Sequence, residues 1–152
     1  MNKEGCNMIT VKDMLDQKGH TAWTIGPDAK VFEALELMSK KGIGALVVVD
    51  ETEEVVGMLS ERDYARKIVL MGRSSQDTLV RDIMTKEVYG VHDDTTAQEC
   101  MALMTDKHFR HLPVCKDGKL AGVISIGDVV KAVITEHKVT IENLENYIMG
   151  KY

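Results

Sequence analysis

The chain has 152 residues, enough for one ordinary domain or for two small halves sharing a core. With 44% hydrophobic and 28% charged residues it has a globular composition, and no apolar run approaches the ~20 residues a membrane helix needs. The formal charge of −5 argues against nucleic acid as the main partner, a role that calls for a basic face.

The leader MNKEGCNMIT has neither the apolar core of a signal peptide nor the Arg- and Ser-rich character of a transit peptide, so a cytoplasmic location is expected. Cys6 falls in this polar leader, Cys100 in a helical apolar pattern and Cys115 in a strand pattern. None has CxxC or Cys/His metal spacing, so Cys100 and Cys115 read as buried thiols and Cys6 as an exposed one. Val11 to Leu15 is a short apolar-polar turn with a counterpart at Val80 to Met84. Trp23-Thr24-Ile25 reads as a short strand closed by Gly26-Pro27. Asp28 is then expected to cap a helix whose apolar positions are Val31, Ala34, Leu35 and Met38, with Gly42 as its stop. Ala45 to Val49 is an unbroken apolar run suited to a buried strand. A polar hairpin, Asp50 to Glu54, leads to a second strand, Val55 to Leu59, and a helix through Tyr64 to Ile68 follows.

This β-α-β-β-α order then recurs. At an offset of 66, Asp28 maps to Asp94, Glu33 to Glu99, Met38 to Met104, Lys41 to Lys107 and Val48 to Val114. The hairpin Lys116 to Lys119 is one residue shorter, so later matches fall at an offset of 65: Gly57, Ser60 and Asp63 become Gly122, Ser125 and Asp128. Leu120 to Ile124 is the strand and Val129 begins the helix of the second copy. An internal repeat with a single slip is a strong architectural signal. The tail keeps helical spacing at Ile141, Leu144, Tyr147 and Ile148, fit for packing back on the domain or for a dimer contact.

Each copy aims a strand into a helix start, with Ser at the cap and Asp three residues on. The first N–H groups of a helix lack internal partners and can bind a phosphate. A carboxylate beside them can accept hydrogen bonds from a ribose diol. Ser-x-x-Asp is also close to a capping box, which needs no ligand at all. Repetition and surroundings favour the ligand reading.

The β-α-β-β-α unit and the paired Gly-h-h-Ser-x-x-Asp motifs (h apolar) resemble a tandem pair of CBS domains, a Bateman module. His108-Phe-Arg-His-Leu-Pro-Val114 adds to the match, and Ser60-Glu-Arg-Asp-Tyr64 and Ser125-Ile-Gly-Asp-Val-Val130 are similar to stand-alone members of bacteria and plant organelles. The resemblance implies an α+β fold of two pseudo-symmetric units packed sheet to sheet: unit 1 at 8–72, a linker at 73–78, unit 2 at 79–137 and a C-terminal helical extension at 138–152. It also implies a regulatory module that binds an adenine nucleotide between the units, modulates a partner protein and forms a homodimer. AMP, ADP or ATP is the expected ligand, with NADH or S-adenosylmethionine as further members of the class, and no cofactor is required. Asp128 and Asp63 would hold the ribose; Ser125 with Ile126, and Ser60 with Arg62, would approach phosphate, as would Arg110 and His111. Thr24, Ala45 and Val91 would line the adenine slot.

The halves differ where Arg110-His111 stands opposite Gly44-Ala45, and where Glu61-Arg62 stands opposite Ile126-Gly127. The first half lacks the basic pair and its Glu61 would repel phosphate, so the site containing Asp128 is expected to be the better nucleotide site. Taken alone, Arg110 reads as a surface ion pair and His111 as a satisfied strand histidine. No P-loop, Gly-x-Gly-x-x-Gly, HExxH or nucleophile with an evident base is present, so an enzyme is not expected. The alternative is a scaffold or redox-partner protein with a vestigial nucleotide site.

Overall fold

The structure is a computed structural model that describes residues 8–148, with side chains up to 138. Cys6 lies outside the described residues, as do the side chains of Ile141, Leu144, Tyr147 and Ile148.

Thr10 caps helix α1 (Val11–Lys18) through a reciprocal box with Asp13, where a short turn was expected. After β1 (Thr24–Ile25), α2 (Val31–Lys41) starts later than the sequence implied. Asp28 is not its cap; it pairs instead with Arg81, and the N-cap position is Lys30, which makes no side-chain capping bond. Gly42 closes α2 in the left-handed region at φ 65°, as expected. Strands β2 (Ala45–Val49) and β3 (Val55–Ser60) run antiparallel, with β1 parallel to β2 on its other edge. Helix α3 (Glu61–Tyr64) passes directly into a π-helical segment, Ala65–Val69.

The second copy repeats this plan. After α4 (Val80–Ile83), Val91 makes a single parallel bridge to Val114 in place of a full β1 equivalent. Thr96, rather than Asp94, caps α5 (Ala97–Lys107). Hairpin β4 (His111–Lys116) and β5 (Lys119–Ser125) turn at Asp117 (φ 53°) and Gly118 (φ 78°). Helix α6 (Ile126–Ile148) begins directly after Ser125 and runs without a break through the segment read as a separate extension. Each hairpin shifts register at the matching place, Val48/Val49 and Val114/Cys115, and pairs the motif serine alike: Ala45 with Ser60, His111 with Ser125.

The two hydrophobic cores exchange their leading helices. Val11, Met14 and Leu15 of α1 are buried in the core formed by α5, β4, β5 and α6. Val80 and Ile83 of α4 are buried in the core formed by α2, β2 and β3. The crossing explains the repeated glycine of the motif. A Cβ on Gly122 would lie 2.8 Å from Leu15 Cδ2, and one on Gly57 would lie 2.9 Å from the Thr85 carbonyl oxygen just after α4. Only a residue without a side chain lets the exchanged segment pass so close to the strand.

Candidate functional site

Both motifs form reciprocal capping boxes. The Asp63 N–H donates to Ser60 Oγ (3.1 Å) while Asp63 Oδ2 accepts from the Ser60 N–H (3.0 Å). The Asp128 N–H donates to Ser125 Oγ (3.2 Å), and Asp128 Oδ2 accepts from the Ser125 N–H (2.8 Å). The first N–H of each helix is taken as well, by Gly44 O at Glu61 and by Arg110 O at Ile126. The capping reading is therefore fulfilled at both copies. Helix-end donors that a phosphate would need are largely committed to the protein itself.

What separates the copies is the space beside them. A cavity of about 480 Å³ opens at the first motif, within the usual range for small-molecule sites. Ser60, Arg62 and Asp63 line it from unit 1, together with Ala45; Arg110 and His111 line it from unit 2. Asp63 Oδ1 accepts from Thr85 Oγ1 (3.1 Å) and sits 3.4 Å from Lys67 Nζ, and both partners line the same cavity. The units meet so that Arg110 and His111, at the start of β4, border the same cavity as the motif of the other unit. The basic pair expected to serve the Asp128 motif thus lines the cavity beside Asp63.

Ser125, Ile126 and Asp128 do not line this cavity. Lys18, at the end of the exchanged α1, donates to Asp128 Oδ2 at 2.6 Å and to the Val123 carbonyl at 2.9 Å. Burial works to raise the Asp128 pKa, but the Lys18 and Ser125 hydrogen bonds and the Lys18 charge outweigh it and hold the carboxyl below its usual value. Two predicted adenine-slot residues also lie elsewhere. Val91 is a core residue at 3% exposure, because its bridge to Val114 turns it inward. Thr24 lines a separate surface depression with Pro27 and Asp50.

His111 stands between the two motifs. Burial comes first in lowering its pKa, and the Lys18 and Arg110 charges lower it further, against the opposing pull of Asp128 and Glu61. At the cavity mouth the Tyr89 and Phe109 rings lie 5.6 Å apart, and Lys107 Nζ sits 5.3 Å from the Tyr89 centroid. The first unit has the same device, with Lys41 Nζ 4.1 Å from the Trp23 ring. Trp23 to Tyr89 and Lys41 to Lys107 both fall at the offset of 66, so the repeat could have revealed the pair. Thr85 and Lys67 carried no motif signal. Among the described residues no group of three or more His, Cys, Asp or Glu could hold a metal ion. Burial raises the thiol pKa of Cys115, and of Cys100 to about 11, with Glu99 adding to the latter, so both thiols are poor nucleophiles.

Two like units that exchange their leading helices and line a common cleft define a paired-repeat module. The CBS domain family matches both copies, at residues 19–70 and 80–135, and the chain belongs to that family, carrying a pair of CBS domains. It is 42% identical over 161 residues to the "CBS domain-containing protein CBSX3, mitochondrial" of Arabidopsis thaliana, covering 100% of this chain and 78% of that protein. Among solved structures it is similar to a CBS-domain protein from Burkholderia ambifaria (49% identity, TM-score 0.80, 84% of this chain and 96% of that one). A CBS-domain-containing protein from Agrobacterium tumefaciens is also similar (41% identity, TM-score 0.80, 88% of this chain and 99% of that one).

Proposed function

We propose that the chain is a regulatory CBS pair that binds an adenine nucleotide in the Asp63 cleft and passes occupancy to a partner protein. The observation that carries this reading is the cavity shared by both units, with a carboxylate–hydroxyl pair, Asp63 and Thr85, beside arginines drawn from both halves. The carboxylate can accept from a ribose diol and the guanidinium groups can hold phosphate oxygens. A ligand touching both units favours the arrangement in which they are drawn together, which is how occupancy reaches a partner.

A thermal-shift panel of adenosine, AMP, ADP, ATP, NADH and S-adenosylmethionine tests the reading. A ligand at a hundredfold excess over its Kd stabilises by about 2.7 kcal/mol, a rise of several degrees in Tm. No shift with any of them, in folded protein, would replace this reading with a scaffold role.

The regulatory unit is a homodimer in this reading. Val69 and Ile134, equivalent at the offset of 65, are 59% and 61% exposed, and Leu70 and Met71 extend the apolar surface beside Val69. Repetition of the same exposed apolar position on both motif helices fits a second copy docking across them. Val69→Glu combined with Ile134→Glu should give a monomer in sedimentation velocity; an unchanged assembly would remove this face from consideration. No helix among the described residues is long and apolar enough to cross a membrane. The Arabidopsis relative is named as mitochondrial, and a cytoplasmic location for this chain remains a proposal, to be checked by cell fractionation.

A further inference from the structure

Three arginines line the Asp63 cleft. The side chains of Arg62, Arg66 and Arg110 form no hydrogen bond or ion pair among the described residues, although the chain as a whole carries −5. Arg62 and Arg66 are four apart on one helical run, a spacing at which like charges repel, and Arg110 joins them from the other unit. Lys107 adds a fourth cation at the mouth, while Lys67 is already committed to the Ile83 carbonyl at 2.8 Å. Against them stand Glu61 and Glu87, since Asp63 is engaged by its own cap, Thr85 and Lys67. The three arginines are exposed, so solvent screens their mutual repulsion and leaves their guanidinium groups available to an anion in the cavity. The capping boxes strengthen this point. With the Glu61 and Asp63 N–H groups taken within the protein, more of the phosphate recognition falls on side chains, and the side chains available are forks that each take two oxygens.

We infer that the cleft selects its ligand by phosphate number, taking a nucleoside carrying two or more phosphates in preference to a monophosphate or an uncharged nucleoside. This rests on the nucleotide reading above and sharpens it to a ligand class. A single phosphate can meet one arginine fork fully; a polyphosphate chain can meet forks from both units at once. S-adenosylmethionine, with a sulfonium in place of phosphate, is disfavoured by the same charges. Glu61 sets a limit on affinity, because its carboxylate shares the cavity with the phosphates.

Isothermal titration of the full chain with adenosine, AMP, ADP, ATP and inorganic tripolyphosphate tests the inference. Affinity should rise at least tenfold from AMP to ATP and fall steeply with salt, and tripolyphosphate should displace ATP. Arg66→Gln and Arg110→Gln should each shrink the ATP-to-AMP ratio severalfold while AMP binding changes less. Glu61→Gln should tighten ATP. AMP binding as tightly as ATP would overturn phosphate counting and leave the nucleotide site standing. Tripolyphosphate binding as tightly as ATP would keep the phosphate count and overturn the adenosine reading. Binding by none of the five would overturn both.

Discussion

Asp63 and Asp128 end the same strand-to-helix turn, with the same serine cap and the same cross-strand partner position, yet they meet different neighbours. Asp63 opens onto a cavity supplied with arginines from both units, whereas Asp128 is clasped by Lys18 from the exchanged helix α1. Both carboxylates pair with a lysine, but Lys67 lies on the helical run of Asp63 itself, 3.4 Å away and beside Thr85, whereas Lys18 reaches Asp128 from the exchanged helix at 2.6 Å. Duplication thus preserved the scaffold, and the two motifs differ in what borders them: a cavity lined by arginines of both units at Asp63, the end of the exchanged helix α1 at Asp128.

The largest effect on this comparison should come from unseating α1. Leu15 is 1% exposed and wedged on Gly122, so Leu15→Ala should cost about 2–5 kcal/mol in urea denaturation and loosen Lys18 from Asp128. The glycines should rank next, and unequally. Gly57→Ala would press on a backbone carbonyl that cannot step aside, for roughly 1–3 kcal/mol. Gly122→Ala would meet the end of a flexible leucine side chain and should cost less. Equal losses at the two glycines would refute the packing account.

Lys18→Met should cost no more than about 1 kcal/mol, since the Lys18 side chain is 36% exposed and solvent screens the pair. Its signature is in pH. The folded Asp128 pKa is depressed, so the pair's stabilisation is present above the unfolded carboxylate value near ~3.9 and is lost as pH falls through the folded value. Acid denaturation of Lys18→Met should therefore lack that part of the wild-type loss. His111 acts in the opposite pH range. Its folded pKa is lowered, so without ligand stability falls as pH drops below its unfolded value of ~6.5. A phosphate bound beside it favours the imidazolium, so nucleotide affinity should rise as pH falls toward the lowered folded pKa of His111, and His111→Gln should flatten that slope.

Much of this was legible in the residues. The repeat with its one-residue slip gave the two units, the apolar runs gave β2 to β5, and Gly42 marked the end of α2. The exchange of α1 and α4 was not legible, because Val11, Met14 and Leu15 declare an apolar face without naming the core that receives it. The same gap hid which motif the cavity borders. Arg110 and His111 sit next to the Asp128 motif in sequence and in strand pairing, and only the packing of one unit on the other turns them toward Asp63. Helix starts were misread for a local reason. Asp28 and Asp94 look like caps, but Lys30 and Thr96 hold the N-cap positions and Asp28 is drawn to Arg81.

The most direct test is titration of ATP into wild type, Asp63→Asn and Asp128→Asn, with folding of each variant checked by circular dichroism. The amide keeps an oxygen for the serine cap while removing the charge and part of the diol-accepting capacity. The account predicts that Asp63→Asn loses at least tenfold in affinity and that Asp128→Asn binds like wild type. Loss confined to Asp128→Asn would place the nucleotide at the Lys18-clasped motif and contradict the account at its centre.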